Sequence, residues 1–408
     1  MMALMMFIMG FFWLLLLFYS VLTVSGVWYR VSSKPAQALE NYPSVAVLVP
    51  ARNEEIVLED TLRAMGRLRY KGKMEVFLLD DNSRDGTAAI AKEFAEVFSK
   101  IHYIPVPPGK LSGKSRVLNY GLGISDSEYF VVYDADNEPE PDAVEKLVEA
   151  AVAVKNAAGA VGYVKTKNAD ANLLTSMIAL EFQVFQLLMQ CGRWAFLKLG
   201  SLAGTNMLLK RSIIEELGGY DEHALAEDAE LTVRLSAAGY VLPVVPESRT
   251  WEQEPEQFRT FIKQRTRWLT GNIYLLEKSL SEFGHWKGKT FFLSLQHVLT
   301  YLVFVVVLLF SDIFFIMGLT GQKLPQAEVP MLMLWFMSYF VYTTQLLSAL
   351  VVDKNVSPKN VMLVFIMYFT YAQLFIVLLL RSFALYLWSR FKGQAISWDK
   401  TKRFKGVG

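Results

Sequence analysis

One cysteine and four histidines are all that 408 residues offer to soft-metal chemistry. A lone Cys191 excludes an intramolecular disulfide and a cysteine-rich zinc site. His102, His223, His285 and His297 are scattered without the spacing of metal ligands. An excess of either charge is missing too. The formal net charge is +2, so nothing marks a nucleic acid or a strongly acidic partner. No internal repeat or low-complexity tract interrupts the chain. Residues 1–29 carry no charged side chain at all, and Arg30 is the first.

What is present in excess is apolar surface. A hydrophobic content of 53% is high for a soluble enzyme. Crossing hydrocarbon takes about 20 apolar residues, and 1–29 supply them. That run lacks the basic start of a secretory signal and exceeds its usual core of about 7–15 residues, so an anchor is expected. Runs 290–317, 330–352 and 361–380 also suffice, with Asp312 interrupting the first. The expectation is therefore one N-terminal span, about three C-terminal spans within 290–389, and a basic tail at 390–408. Arg30 and Lys34 at one end, and Lys287 and Lys289 at the other, put the polar domain 40–285 in the cytoplasm of a multi-pass cell-membrane protein. One conflict arises. Four crossings export a tail whose Arg390, Lys392, Lys400, Lys402, Arg403 and Lys405 favour the inside. Either the last run does not span simply, or a counted run lies in the interface.

The polar domain alternates strand and helix. Residues 45–49 and 76–79 read as short buried strands ending at Pro50 and at Asp80-Asp81, and 129–133 as a third ending at Asp134-Ala135-Asp136. Helical spacing occupies 55–67 and 87–99, and Pro141 opens another helix. Such alternation predicts an α/β fold with a mostly parallel sheet and helices on both faces, ligands binding beyond the strands' carboxyl ends. Residues 172–199 are too polar for a span and too apolar for a free surface helix. They are expected at the membrane surface, as is the stretch 256–285.

Three strings carry the chemistry. Two carboxylates at i, i+2 after a strand diverge, so Asp134 can face a nucleotide while Asp136 binds a hard cation, Mg²⁺ or Mn²⁺. Leu225-Ala-Glu227-Asp228 opens a helix, where Asp228 reads equally as a helix-starting acid. In Gln264-Arg-Thr-Arg267-Trp268, positions i, i+3 and i+4 share one helix face. Arg267 suits a two-point grip on diphosphate and Trp268 a flat platform for a sugar, although an Arg-Trp pair also suits lipid headgroups.

The ordered set, from Val45 to Trp268, resembles the family-2 glycosyltransferases that build polysaccharides at membranes, such as cellulose, chitin and hyaluronan synthases. The resemblance implies a GT-A-type fold and a hexosyltransferase. It implies that Asp81 accepts from a uracil ring, that Glu54 and Lys114 (in Gly113-Lys-Ser-Arg-Val-Leu-Asn119) lie near the nucleotide, and that Gln264 and Arg267 bind it too. It makes Asp228 the general base and puts Gly204, Thr205, Glu227 and Trp268 on the acceptor side. Ala226 stands where many relatives carry Thr. The function so implied is inverting, metal-dependent transfer from a nucleotide-sugar, UDP-linked, to a growing β-linked chain at the bilayer. The alternative is a single transfer making a glycolipid or a lipid-linked saccharide. Either way the partners are donor, acceptor and lipid, with a homo-oligomer possible and no nucleic acid.

Overall fold

The computed structural model describes residues 2–34, 36–109, 113–281, 291, 294–295, 298–322 and 328–392. His285, Lys287, Lys289, His297 and the tail beyond Lys392 lie outside them.

Eight strands form one mixed sheet in the order β3-β2-β1-β4-β7-β6-β8-β5. They are β1 (Val45–Ala51), β2 (Met74–Asp80), β3 (Ile101–Pro105), β4 (Tyr129–Val132), β5 (Glu138–Pro139), β6 (Gly159–Thr166), β7 (Met207–Lys210) and β8 (Val244–Glu252). The β3-β2-β1-β4 half is parallel throughout. β7 then runs antiparallel to both β4 and β6, while β6 and β8 are again parallel. The expected mostly parallel character thus holds in four of seven pairings.

Alternation within β1 explains the layering. Val45, Val47 and Val49 join one buried cluster with Leu58 and Leu62 of α2 (Leu58–Arg67), Ala91 of α3 (Thr87–Val97) and Leu147 of α5 (Ala143–Ala153). Ala46 and Leu48 join another with Leu118 of α4 (Lys114–Leu122), Ile214 of α8 (Arg211–Glu216) and Leu231 of α9 (Glu227–Ala237). A strand buried on both faces needs apolar residues at every position, which is the pattern of 45–49.

Long apolar helices flank the sheet. Among the described residues, five are long and apolar enough to cross a membrane: Ala3–Ser32, Leu173–Leu197, Leu299–Gly318, Met331–Val352 and Leu374–Lys392. Helix α1 (Met2–Ser32) packs through Met5, Ile8 and Phe12 on Val307, Phe314, Met331 and Leu334 of α11 (Phe304–Leu319) and α12 (Glu328–Val352). The segment 173–197 comprises α6 (Leu173–Gln183), a π-helical turn (Val184–Gln190) and α7 (Cys191–Leu197). It is docked on the sheet: the Gln186 amide exchanges hydrogen bonds of 2.8 and 3.0 Å with the backbone of Val164 in β6. It crosses α1 where both sides are small. A Cβ on Gly26 would meet the Leu188 carbonyl at 2.4 Å, and one on Gly192 the Leu22 carbonyl at 2.2 Å.

The run 361–380, expected as one span, is not one helix. It breaks into α13 (Pro358–Met367) and α14 (Leu374–Lys392). The break turns Tyr371 inward, where its hydroxyl donates to Glu181 Oε2 at 2.6 Å. A buried polar tether outweighs helix continuity here.

Candidate active site

The first two strand ends are locked to each other. Asn53 and Asn82 both adopt left-handed backbone, φ 54° and 55°, a conformation asparagine tolerates better than most residues. Arg84 N donates to Asn53 Oδ1 (2.7 Å), Asn53 N to Ser83 Oγ (2.9 Å), and Glu54 N to Thr87 Oγ1 (2.7 Å). This fixes Glu54 and Asp81 on one rim. Asp81 is buried and takes two guanidinium groups, Arg116 through Nη2 and Arg52 Nη1 at 3.4 Å. Arg116 gives no signal in the sequence, because its partner Asp81 lies 35 residues earlier.

The Asp-x-Asp turn is pinned from beneath. Asn137 Oδ1 accepts from Thr205 Oγ1 (2.9 Å) and Thr250 Oγ1 (3.1 Å), and Thr205 Oγ1 in turn accepts from Asp134 N (3.1 Å). Tyr133 OH donates to Asn206 Oδ1 (2.9 Å), whose Nδ2 donates to Ser248 O (2.9 Å). Thr205 is buried, and its hydroxyl is bonded within the turn, where it supports Asp134.

Lys114 joins the two halves of the site. Its Nζ lies 2.5 Å from Asp134 Oδ1, donates to Gly204 O at 2.6 Å and sits 3.5 Å from Glu227 Oε1. Gly204 has φ +79°, which favours glycine, and a Cβ there would meet Asp228 Oδ2 at 3.5 Å and Lys114 Nζ at 3.8 Å. Asp134, past the end of β4, and Glu227 and Asp228, at the start of α9, therefore converge on one ammonium group. Burial works against the Lys114 charge, but Asp134, Glu227 and Asp228 together hold the ammonium form well above the usual lysine range. Burial, then the neighbouring Glu227, pushes Asp228 up to about 7, against the pull of the Ala229 amide and Lys114.

The Gln-Arg-Thr-Arg-Trp string lies on α10 (Phe258–Ser281), as its spacing predicts. Gln264 is buried, while Arg267 and Trp268 are partly exposed. The residue missed in the sequence is Arg265, also buried. Its Nη2 donates to Glu181 Oε2 at 2.6 Å, and its guanidinium lies over the Trp268 ring. Phe182 stacks on the same indole, centroids 6.2 Å apart. One turn further, Gly271 brings α10 against the loop before α9, where a Cβ would stand 2.7 Å from Ala226 Cβ. That contact ties the helix bearing Arg267 and Trp268 to the residue preceding Glu227-Asp228.

Among the described residues no cluster of three or more His, Cys, Asp or Glu could hold a metal ion. The buried carboxylate of Asp136 nonetheless fits Mg²⁺ or Mn²⁺, which protein sites commonly hold by one or two carboxylates, with phosphate oxygens and water completing the shell.

Comparison with known proteins gives the family and the fold. Residues 43–271 match the family described as "Glycosyltransferase like family 2". The "Probable glycosyltransferase YdaM" of Bacillus subtilis (strain 168) is 37% identical over 401 residues, 96% of each chain. A β-monoglucosyldiacylglycerol synthase of Trichormus variabilis is 29% identical over 56% of this chain and 49% of its own. A poly-β-1,6-N-acetyl-D-glucosamine synthase of Staphylococcus aureus (strain COL) is 24% identical over 69% and 68%. The fold is shared with the mannosyltransferase PcManGT from Pyrobaculum calidifontis, solved with GDP-Man and Mn²⁺. That structure superposes with a TM-score of 0.58 at 20% identity, covering 85% of this chain and 98% of its own. With its GT-A-like mixed sheet and flanking apolar helices, this chain belongs to glycosyltransferase family 2 and is a glycosyltransferase.

Proposed function

We propose that the protein transfers a sugar from a nucleoside diphosphate, UDP-linked, to a growing β-linked polysaccharide at the membrane, with inversion at the anomeric carbon. The observation that carries the reading is the convergence of Asp134, Gly204, Glu227 and Asp228 on Lys114. Donor and acceptor halves share one small volume, as a single displacement needs. In this reading Asp81, between Arg52 and Arg116, accepts from the base and Glu54 lies beside the nucleoside. Asp228, raised toward neutrality, takes the proton of the acceptor hydroxyl as its oxygen attacks the anomeric carbon. Arg267 grips the departing diphosphate, with Gln264 one turn earlier on the same face. Trp268, Gly204 and Glu227 line the acceptor path. A divalent cation held by Asp136 would neutralise diphosphate charge and make it a better leaving group. The neighbour solved with GDP-Man and Mn²⁺ supports a nucleotide-sugar donor and a divalent ion.

The catalytic domain is read as cytoplasmic, because Arg30 and Lys34 follow the first apolar helix. A second reading, one transfer onto a lipid acceptor, is favoured by the 29% identity to a glycolipid synthase. The test is to incubate membranes holding the full chain with each of several radiolabelled UDP-sugars, with and without EDTA, and to size the product. A long polymer supports the first reading and a single-sugar lipid the second. Transfer that persists in EDTA, or in Asp136→Asn, removes the metal role.

A further inference from the structure

The conflict between four crossings and a basic tail has a structural answer. We infer that residues 358–392 form a re-entrant hairpin, which enters the leaflet beside the catalytic domain and returns to the same side. Among the described residues, only the helices 3–32, 299–318 and 331–352 would then cross. The inference rests on reading those three as membrane spans and goes beyond the proposed reaction.

Both ends of the hairpin are fastened to the polar domain. Just before it, Asp353 follows α12 and is buried against β6 and α6: Lys165 Nζ lies 3.2 Å away, and Gln183 Nε2 donates at 3.1 Å. That fixes the end of α12 on the catalytic side. Lys359, in the first turn of α13, pairs with Asp170 at 3.1 Å. At the far end, Tyr386 and Arg390 both bond Glu277 of α10. The residue after Glu277 is Lys278, which donates to Glu230 of α9 at 2.7 Å, so this stretch of α10 belongs to the polar domain. The other end of α10 is held there as well, where Asn172 Nδ2 donates to Glu256 O at 3.0 Å.

The first limb of the path between these ends is too short to cross. Helix α13 has 10 residues, about 15 Å at 1.5 Å per residue, against a hydrocarbon core of about 30 Å. Its end does rise along α12: the Tyr368 ring packs on Tyr339 and Tyr342, centroids 5.5 and 5.6 Å away. The chain then turns, and Tyr371 is drawn back to Glu181 and Arg265 on the catalytic helices. Helix α14 is long enough to span, yet it lies along α10, Ser382 Oγ reaching Thr266 O at 3.4 Å midway. A helix tied at its start, middle and end to catalytic-domain helices runs over that domain instead of leaving it.

The outward face names the occupant. Phe369, Val377, Leu387, Trp388 and Phe391 are 60–87% exposed, an apolar surface that none of the described residues covers, joined to the spans 299–318 and 331–352 through Phe304–Phe375 and Tyr339–Phe369. The bilayer covers it. Returning the chain at Lys392 also keeps Arg390, Lys392, Lys400, Lys402, Arg403 and Lys405 on the catalytic side, where cationic flanks belong.

Single-cysteine accessibility tests this in the full-length protein with Cys191→Ser. Lys392→Cys, Glu93→Cys in the catalytic domain and Gln322→Cys between α11 and α12 are each exposed to an impermeant maleimide, in intact cells and in inverted vesicles. Lys392→Cys should label with Glu93→Cys, in inverted vesicles only, and Gln322→Cys in intact cells only. Labelling of Lys392→Cys together with Gln322→Cys would mean that the last helix crosses and would overturn the hairpin. Labelling of all three from one side would remove the spans beneath it, and the hairpin with them. Neither outcome bears on transfer, which the product assay measures separately.

Discussion

The Arg265 guanidinium carbon lies 4.4 Å from the centroid of the Trp268 indole, three residues along the same helix. The same cation is buried, bonded to Glu181, and within 5.4 Å of the rings of Phe182 and Phe261. Trp268 therefore takes its orientation from a charge that is itself anchored on α6. Arg265→Lys keeps the charge but loses the planar stack, a contact worth about 0.5–2 kcal/mol. The acceptor KM should rise about 2- to 30-fold, with the donor KM unchanged. Arg265→Ala also empties the space between Phe182, Phe261 and Trp268 and should lower the melting temperature, while Glu181, 40% exposed, keeps its bond from Tyr371. Thermal unfolding in detergent and the two KM values separate the effects, and an equal rise in both KM values for Arg265→Lys would argue against a role at Trp268.

Asp228→Asn should lower turnover by about 10²-fold or more while donor binding stays within a few-fold. Calorimetric titration of the nucleotide-sugar and single-turnover transfer make the comparison. The same change should raise the melting temperature at pH 8, because it removes a carboxylate that burial and Glu227 disfavour in the folded state. Loss of stability instead would mark Asp228 as a structural cap at the start of α9.

The pH dependence follows from the same carboxyl group. Its folded value, about 7, lies above the ordinary 3.8, so between these values the folded chain holds a proton that the unfolded chain has released. This group's contribution to stability is therefore fully present below about pH 4 and is lost as pH rises through 7. Activity runs the other way, since only the ionised form accepts a proton. Transfer at saturating donor should fall about tenfold per pH unit below about 7. A flat profile between pH 5.5 and 8 would exclude Asp228 as the base.

Gly271 sets how closely α10 approaches the loop carrying Glu227 and Asp228. Gly271→Val forces a methyl into a 2.7 Å gap at Ala226 and should cost about 1–3 kcal/mol, the range for overpacking. Turnover should fall more than nucleotide binding, because Arg267 and Asp228 move apart. Ala226→Gly combined with Gly271→Ala should restore most of both. Failure of that pair to recover turnover would mean that the spacing does not depend on this contact.

The parts of the fold legible in the sequence are those where burial demands a simple pattern. Strands β1, β2 and β4 are runs of apolar and β-branched residues because both faces are covered. Strand β8 reads Val-Val-Pro-Glu-Ser-Arg-Thr-Trp-Glu, and its inward Ser248 and Thr250 are satisfied by Ala143 O and Asn137 Oδ1. A polar residue with a buried partner breaks the alternation that would have announced the strand. Strand β7 is only four residues long and enters from a left-handed Asn206, so it looked like the end of a loop. At the site, acids at strand ends could be expected from local pattern alone. Arg265, Arg116 and Asn137 could not, since each acts on a partner far away in sequence. The break at 368–373 was hidden likewise: it contains no proline or glycine, and Tyr371 bends the chain toward Glu181.

The glycine crossing between the first helix and residues 184–197 bears on how the protein is made. Residue 26 meets residue 188, so when the first helix leaves the ribosome the surface it fits does not yet exist. Read as a membrane span, it waits in lipid, Gly26 uncovered, while the chain as far as β6 is synthesised, and β5 and β6 gain their partners β7 and β8 only after that. Contacts so distant in sequence form slowly, because a long loop must close before they give anything back. Insertion into the membrane and folding of the enzyme domain are thus one process with a late step, the docking of 184–197 on a helix already in place. A substitution at Gly26 would act on that assembly step, and cells would show less protein before they showed a poorer enzyme.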